Sequence, residues 1–540
     1  MMRRIGNGSL PSRRSFLQGA SALTLGALAS PSLVGRAFAG GRPDWSKGNP
    51  FSLGVASGAP SADGFVLWTR LVPDPLSTDP AMPGGMSGGT VPVGYEIAED
   101  EAMTRLVRKG IATAEPRFAW SVHEVVGGLK PGRPYWYRFT SGDASSRVGR
   151  AMTLPAPGTT LDRLRFAFAS CSNYEHGYYA SYRHLADEHP DLVIFLGDYI
   201  YESIDTKHPI VRKHSDGVEA RTLRQYRNRY TQYKLDESLQ RVHAVAPSLA
   251  TWDDHEVQND YAGEWSPSFE DPAKFLLRRA AAYQAFYEHM PVRPALSTPH
   301  GPSMRLYDRF AFGDLVRISM IDGRQYRSRE ACYGPPNKGG GHLETDASCP
   351  ERLSATRSMM GTTQEKWLYD GLSGSKARWN VIAQDVLMAK FAQKDETGQT
   401  AYWVEDWNGY PANRTRLLQH IHDAHVDNAV VIGGDSHCFW TNDLKPDFDD
   451  PRSPTVATEF VGTSISSRPP PYELFATALP ENPHVRFFES RKRGYVSVDL
   501  DARRMTTKLQ AISDVTDPNA TLSTLKTFVV ESGRPGAVEA

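Results

Sequence analysis

Five short runs constrain this chain most: LRFAFAS (164–170), LVIFLG (192–197), VRISMID (316–322), WNVIAQD (379–385) and NAVVIGG (428–434). Each is apolar over a strand's length and too short for a helix, so each reads as a buried strand. Helical segments lie between them. Asp271 before Pro272 opens FLLRRAAAYQAFYEHM, where Phe275, Leu276, Tyr283, Phe286 and Tyr287 favour one face. Thr362 and Glu365 have capping-box spacing ahead of Trp367 and Leu368. Strands mixed with helices on this scale predict a layered α/β catalytic domain over 160–520. Within it YVSVDL and MTTKLQAI, around DARR (501–504), read as a hairpin, and 521–540 reads as a C-terminal tail.

The chain before 155 has another character. FSLGVASGAP, GFVLWTR, VGYEIAED and PYWYRFTSG are β-prone runs separated by Gly, Pro and Asp turns. GLKPGRPYWYRF is similar to the turn and aromatic strand of fibronectin and immunoglobulin sandwiches, so 40–155 is expected as an all-β sandwich domain. Residues 1–39 read as a targeting segment. Arg13 and Arg14 precede a modest apolar stretch, and Ala37-Phe38-Ala39 fits the small-x-small cleavage rule. That resembles a twin-arginine signal, which the translocation machinery reads and which is no permanent anchor. Export to the periplasm or beyond is expected, with no membrane anchor. Nothing downstream reaches the ~20 apolar residues a span needs. With 61 basic and 62 acidic side chains, the chain carries no electrostatic footprint of nucleic-acid or anionic-membrane binding. Its four cysteines allow three full pairings. Cys332 and Cys349 share one Gly/Pro-rich loop without a metal-ligand pattern, and a disulfide between them would staple it.

The stronger strands each end in ligand-type residues. Cys171 follows the first, and Asp198 and Tyr201 follow the second in GDYIYE. TWDDHEVQND supplies Asp253, Asp254, His255, Glu256, Asn259 and Asp260, and GGDSHCFWTND supplies Asp435, His437, Asn442 and Asp443. Singly, each has a turn or helix-cap explanation. Together, at the carboxyl ends of strands where α/β proteins gather ligands, so many carboxylates would repel unless cations neutralised them. This favours a polynuclear metal site.

The series GD…Y, WDDHE, GDSH resembles a variant of the calcineurin-like metallophosphoesterase signature. The arrangement ASC–GDYIYE–TWDDHEVQND–GGDSH, behind a β-module and a twin-arginine signal, is similar to the PhoD family of alkaline phosphatases over nearly the whole mature chain. The resemblance implies a layered α/β/β/α metallophosphoesterase domain behind the sandwich. It also implies Fe3+ bound together with Ca2+. Ferric iron favours anionic oxygen, which a Tyr201 phenolate meets, and the purple acid phosphatases share this GD..Y pattern. Asp198 can bridge two cations. Cys171 is carried over as a thiolate ligand, with Asp435 and His437 completing the iron shell. Asp254 and Asn259 suit calcium. Whether Asp253 or Asp254 binds metal stays open, and a Cys171–Cys438 disulfide or a buried free thiol is the alternative for Cys171. His255 matches the His of GNH and is the candidate general acid. Arg324 and Arg327 are candidate phosphate contacts, or else paired structural arginines.

The implied reaction is attack of metal-activated hydroxide on phosphorus in small phosphate monoesters, with diesters also accepted. The alternatives are a phosphodiesterase acting on phospholipid or teichoic-acid-like polymers, and an exported binding protein with structural metals.

Overall fold

Each of the five apolar runs is a strand, and two sheets divide them. Arg163–Ala169 and Leu192–Leu196 lie parallel in a ten-stranded sheet, followed by Ser248–Thr251 and Val55–Ser61 in the same direction. Val316–Met320, Trp379–Ala383 and Ala429–Gly433 lie parallel in a seven-stranded sheet. The computed structural model describes residues 45–540 except 47, 78, 80, 81 and 336–338, so the targeting segment expected over 1–39 lies outside the described residues.

The two-residue period of the strands explains the layering. Phe166, Phe168 and Ile194 share one core with Ile318, Val381, Val430 and Phe460 of the seven-stranded sheet. Their neighbours Ala167, Val193 and Phe195 point the other way. They pack with Tyr182 of the helix Ala180–Asp187, Tyr230 of Leu223–Lys234 and Phe286 of Pro272–His289. On the seven-stranded sheet, Ile382 and Val431 meet Leu368 of Gly361–Ser373 and Leu417 of Pro411–Asp423. Mixed sheets with helices make an α/β fold.

Asp271 caps its helix as expected, accepting from the N–H groups of Ala273 at 3.0 Å and Lys274 at 3.3 Å. Thr362 does not. Its helix begins at Gly361, with Met360 at the N-cap and no side-chain cap bond from that residue. Ser358 Oγ accepts instead from Met360 N–H at 3.1 Å and Gly361 N–H at 2.8 Å, while its own hydroxyl donates to Glu365. The complete capping box belongs to Thr222 and Gln225.

The strands before 155 divide between sheets. Val91–Ala98, Leu106–Ala114, Pro134–Ser141, Ala144–Ser145 and Gly149–Met152 form a five-stranded sheet, whereas Val55–Ser61, Gly64–Arg70 and Ser121–Val126 continue the ten-stranded one. Phe65, Leu67 and Val122 of the latter pack with Val93, Ile97 and Tyr137 of the former. A continuous sheet therefore crosses the boundary expected at 155. The expected hairpin pairs Gly494–Asp501 with Arg504–Ile512. The segment 521–540 is a correction. It forms the strands Leu522–Glu531 and Arg534–Glu539 at the sheet's edge, and Phe528 and Val530 enter the central core, which a solvated tail could not do. Among the described residues, no helix is long and apolar enough to cross a membrane.

Candidate metal centre

The backbone is bent out of its easy conformations where the strands stop. Cys171, Asp198, Asp435 and His437 have φ of 59°, 52°, 57° and 55°. The left-handed region costs a residue with a Cβ roughly 1–2 kcal/mol, and such strain clusters where side chains must be aimed. Two glycines let the strand ends close on one another. At Gly197 (φ +85°) an added Cβ would lie 2.3 Å from Asp253 Cβ and 2.7 Å from its backbone nitrogen. At Gly434 it would lie 2.5 Å from Ser170 Oγ. Any larger residue would push TWDDHE and GGDSH away from ASC and GDYIYE.

Among the described residues, the closed strand ends bring together four groups of side chains that could hold cations, the ligand atoms of each group lying within 4.8 Å of one another. They are Cys171 with Asp198 and His437; Asp198 with Asp254 and His255; Asp253 with Asp254 and Asp435; and Asp254 with Asp260 and Glu405. Asp198 and Asp254 are shared, so the groups form one continuous centre. Tyr201 joins it through its hydroxyl, which lies 2.7 Å from Asp198 Oδ2, 3.0 Å from His437 Nε2 and 2.7 Å from Ser467 Oγ. His437 Nδ1–H donates to the Arg468 carbonyl at 2.7 Å, which leaves the Nε2 lone pair facing inward. Burial, with Arg493 nearby, holds this imidazole down to about 3 and therefore neutral.

The charge balance fits bound cations. Burial pushes the carboxyls of Asp198, Asp253 and Asp435 well above their usual range, and neighbouring carboxylates add to it. Burial, Asp198 and Asp435 raise the Cys171 thiol likewise. Asp254 is the exception: against burial, Arg324 and His255 hold its carboxyl below the ordinary value. Asp253 Oδ2 and Asp254 Oδ1 are buried and, among the described residues, have no hydrogen-bond partner. Uncompensated buried charge costs several kcal/mol per group, and anionic oxygens with open lone pairs suit hard cations.

The side chains of Arg324 and Arg327 are fully buried and paired with Glu405. Arg324 pairs with Asp253 and Glu405 and lies 3.3 Å from Asp385; Arg327 bonds Glu405 at 2.9 Å. They are the centre's internal counter-charge. Cys171 and Cys438 are both free, which removes the disulfide alternative, while Cys332 and Cys349 are bonded to each other with their Cα atoms 5.9 Å apart.

Within its group, His255 has its ring centroid 4.0 Å from that of Tyr201, and its Nδ1–H donates to Glu202 at 2.7 Å. Burial opposes its charge, yet Glu202, Asp198 and Asp254 together hold its pKa well above the ordinary value. Asn259 is exposed, and its backbone N–H donates to Glu202 at 2.9 Å. Three members went unassigned in the sequence. Glu202 and Asp260 lie inside the quoted motifs, but nothing local distinguished them from turn residues. Glu405 carries no motif; Arg324 and Arg327, from a distant segment, bring it in.

Comparison with known proteins gives the family of the chain. The sequence pattern of PhoD-like phosphatases matches residues 166–509, and that of their N-terminal domain matches residues 37–155. Alkaline phosphatase D of Bacillus subtilis (strain 168) is 42% identical over 534 residues, covering 97% of this chain and 88% of that protein. A solved structure of PhoD superposes with a TM-score of 0.85 at 42% identity, covering 92% of this chain and 93% of that one. An α/β protein gathering acidic, thiol and imidazole groups at its strand ends is, on these similarities, an enzyme of the phosphatase class. The chain belongs to the PhoD-like phosphatase family.

Proposed function

We propose that this phosphatase is an exported, metal-dependent enzyme hydrolysing small phosphate monoesters and also diesters. The convergence of Cys171, Asp198, Tyr201, Asp254, Asp435 and His437, with buried carboxylate oxygens left over, carries the reading. Fe3+ would be held by Cys171, Asp198, Tyr201, Asp435 and His437, and Ca2+ by Asp254 with Asp198 and the amide of Asn259. Arg324 occupies Asp253 Oδ1 and leaves Oδ2 open, so Asp253 either supports Asp254 or lends Oδ2 to the same cation. When bound, such cations neutralise the phosphate and lower the pKa of attacking water. The protein supplies the rest. Glu202 accepts from His255 Nδ1–H and, with Asp198 and Asp254, keeps the imidazole protonated, so Nε2–H can donate to the leaving oxygen. Arg324, deep in the centre, keeps the acidic side chains from repelling one another.

The same proposal takes the three cores as the interfaces between the four layers of an α/β/β/α metallophosphoesterase domain, with the paired sheets before 155 as its β-sandwich. Arg13, Arg14 and the cleavage pattern support passage through the twin-arginine machinery to the periplasm or medium. The test is turnover of a chromogenic phosphomonoester and the matching diester, with and without chelator, alongside iron and calcium analysis of the purified protein. Chelator-sensitive monoester turnover supports the proposal. Diester turnover alone favours a phosphodiesterase, and bound metal without turnover favours a binding protein.

A further inference from the structure

Beyond the residues that face the centre, the segment holding its histidine is itself held from outside. Arg468 touches the centre through its carbonyl, which accepts from His437 Nδ1–H at 2.7 Å. Its own N–H donates to His176 Nδ1 at 3.2 Å, and His176 Nε2 lies 3.0 Å from Asp205 Oδ2. Since the Arg468 amide can only donate, His176 Nδ1 must accept, so Nε2 carries the proton and donates to Asp205. The Arg468 guanidinium reaches the same carboxylate, with Nε 3.5 Å from Asp205 Oδ2, and donates to the Pro209 carbonyl. Next to it, Ser467 Oγ lies 2.7 Å from the Tyr201 hydroxyl.

Asp205 is fixed in turn. It accepts from the backbone N–H groups of Lys207 and His208, each at 2.9 Å, and its own N–H donates to Glu175 at 2.6 Å. The side chains of His176 and Asp205 are only 13% and 11% exposed, so water competes weakly for these bonds. Neither is a member of the four ligand groups.

We propose that Asp205 and His176 are positioning residues that act through the Arg468 backbone, whose N–H and C=O lie on the two peptide units flanking its Cα, to aim His437 Nε2 into the centre. Each link is directional and each proton has one assigned acceptor, so the rotation of the His437 ring is set three bonds away, on the loop after GDYIYE. Outer partners of this kind hold ligand orientation and typically change metal affinity or activity by 10–100-fold when removed. The inference rests on the metal-centre reading above, and its test separates the two.

Full-length metal-loaded protein is compared as wild type, His176→Ala, His176→Gln, Asp205→Asn and His437→Ala. Iron retained after timed exposure to a chelator, kcat and KM on a chromogenic monoester, and the melting temperature are measured. His176→Ala and Asp205→Asn are expected to lose iron 10–100-fold faster and to lower kcat more than they raise KM. His176→Gln, whose amide can accept from Arg468 and donate to Asp205, is expected to recover most of both. Wild-type iron retention in His176→Ala and Asp205→Asn, with His437→Ala stripped, overturns the positioning role alone. Equal loss in His176→Ala and His176→Gln overturns it too, because that is general loosening. Full retention in His437→Ala overturns the metal reading beneath it.

Discussion

Replacing Gly197 by alanine tests whether the centre depends on how closely two strand ends approach. Gly197 has φ +85°, where a Cβ costs roughly 1–2 kcal/mol. That Cβ would also lie 2.3 Å from Asp253 Cβ and 2.7 Å from its nitrogen, and neither can swing aside as a side-chain tip could. Overpacking of this kind adds roughly 1–3 kcal/mol, so the total is about 2–5 kcal/mol. Backbone must shift, and the segment that shifts carries Asp253 and Asp254. Misplacement by about 1 Å is worth on the order of 100-fold in rate. Gly398 is the control: its φ is +81°, but nothing lies within 4 Å of its Cβ position. Gly398→Ala therefore carries only the conformational part, about 1–2 kcal/mol, with unchanged kcat. Chemical unfolding midpoints and kcat on a monoester are measured for both variants. If Gly197→Ala costs no more stability than Gly398→Ala and keeps its turnover, the close-approach argument is wrong.

Three further perturbations follow from the structure. His255→Ala is expected to lower kcat by 10²–10⁴-fold, roughly the range for losing a general acid, with iron and calcium contents unchanged; lost metal would make His255 a ligand instead. Tyr201→Phe is expected to keep the fold, read by circular dichroism, and to remove the visible phenolate-to-iron band, so a surviving band refutes the phenolate assignment. Lys234 concerns stability. Burial holds its ammonium down to about 7 from 10.5, so between those pH values the unfolded chain binds more protons and stability rises with pH. The penalty below pH 7 is about 5 kcal/mol, less about 2 kcal/mol from the Trp68 ring 4.3 Å away. Lys234→Met should therefore melt higher than wild type at pH 6, with the gap closing toward pH 10; a gap that does not change with pH refutes it.

What could be read directly from this chain was local. A strand such as Leu192–Leu196 declares itself by its apolar run, and the Asp271 helix start by a cap and a proline, because neighbouring residues set those energies. The ligand types at strand ends were legible for the same reason, and with them the family. Which segments meet was a matter for tertiary structure. Val55–Ser61 joins the parallel sheet beside Ser248–Thr251, and Phe528 carries a supposed tail into the core. Alternation says that a strand has a buried face, but not which sheet buries it. Arg324 and Glu405 show the same limit in charge: the sequence left the role of Arg324 open and gave no sign of Glu405, and only folding buries Arg324 against both Asp253 and Glu405. Electrostatic energy depends on distance and burial, and neither exists until the chain has folded.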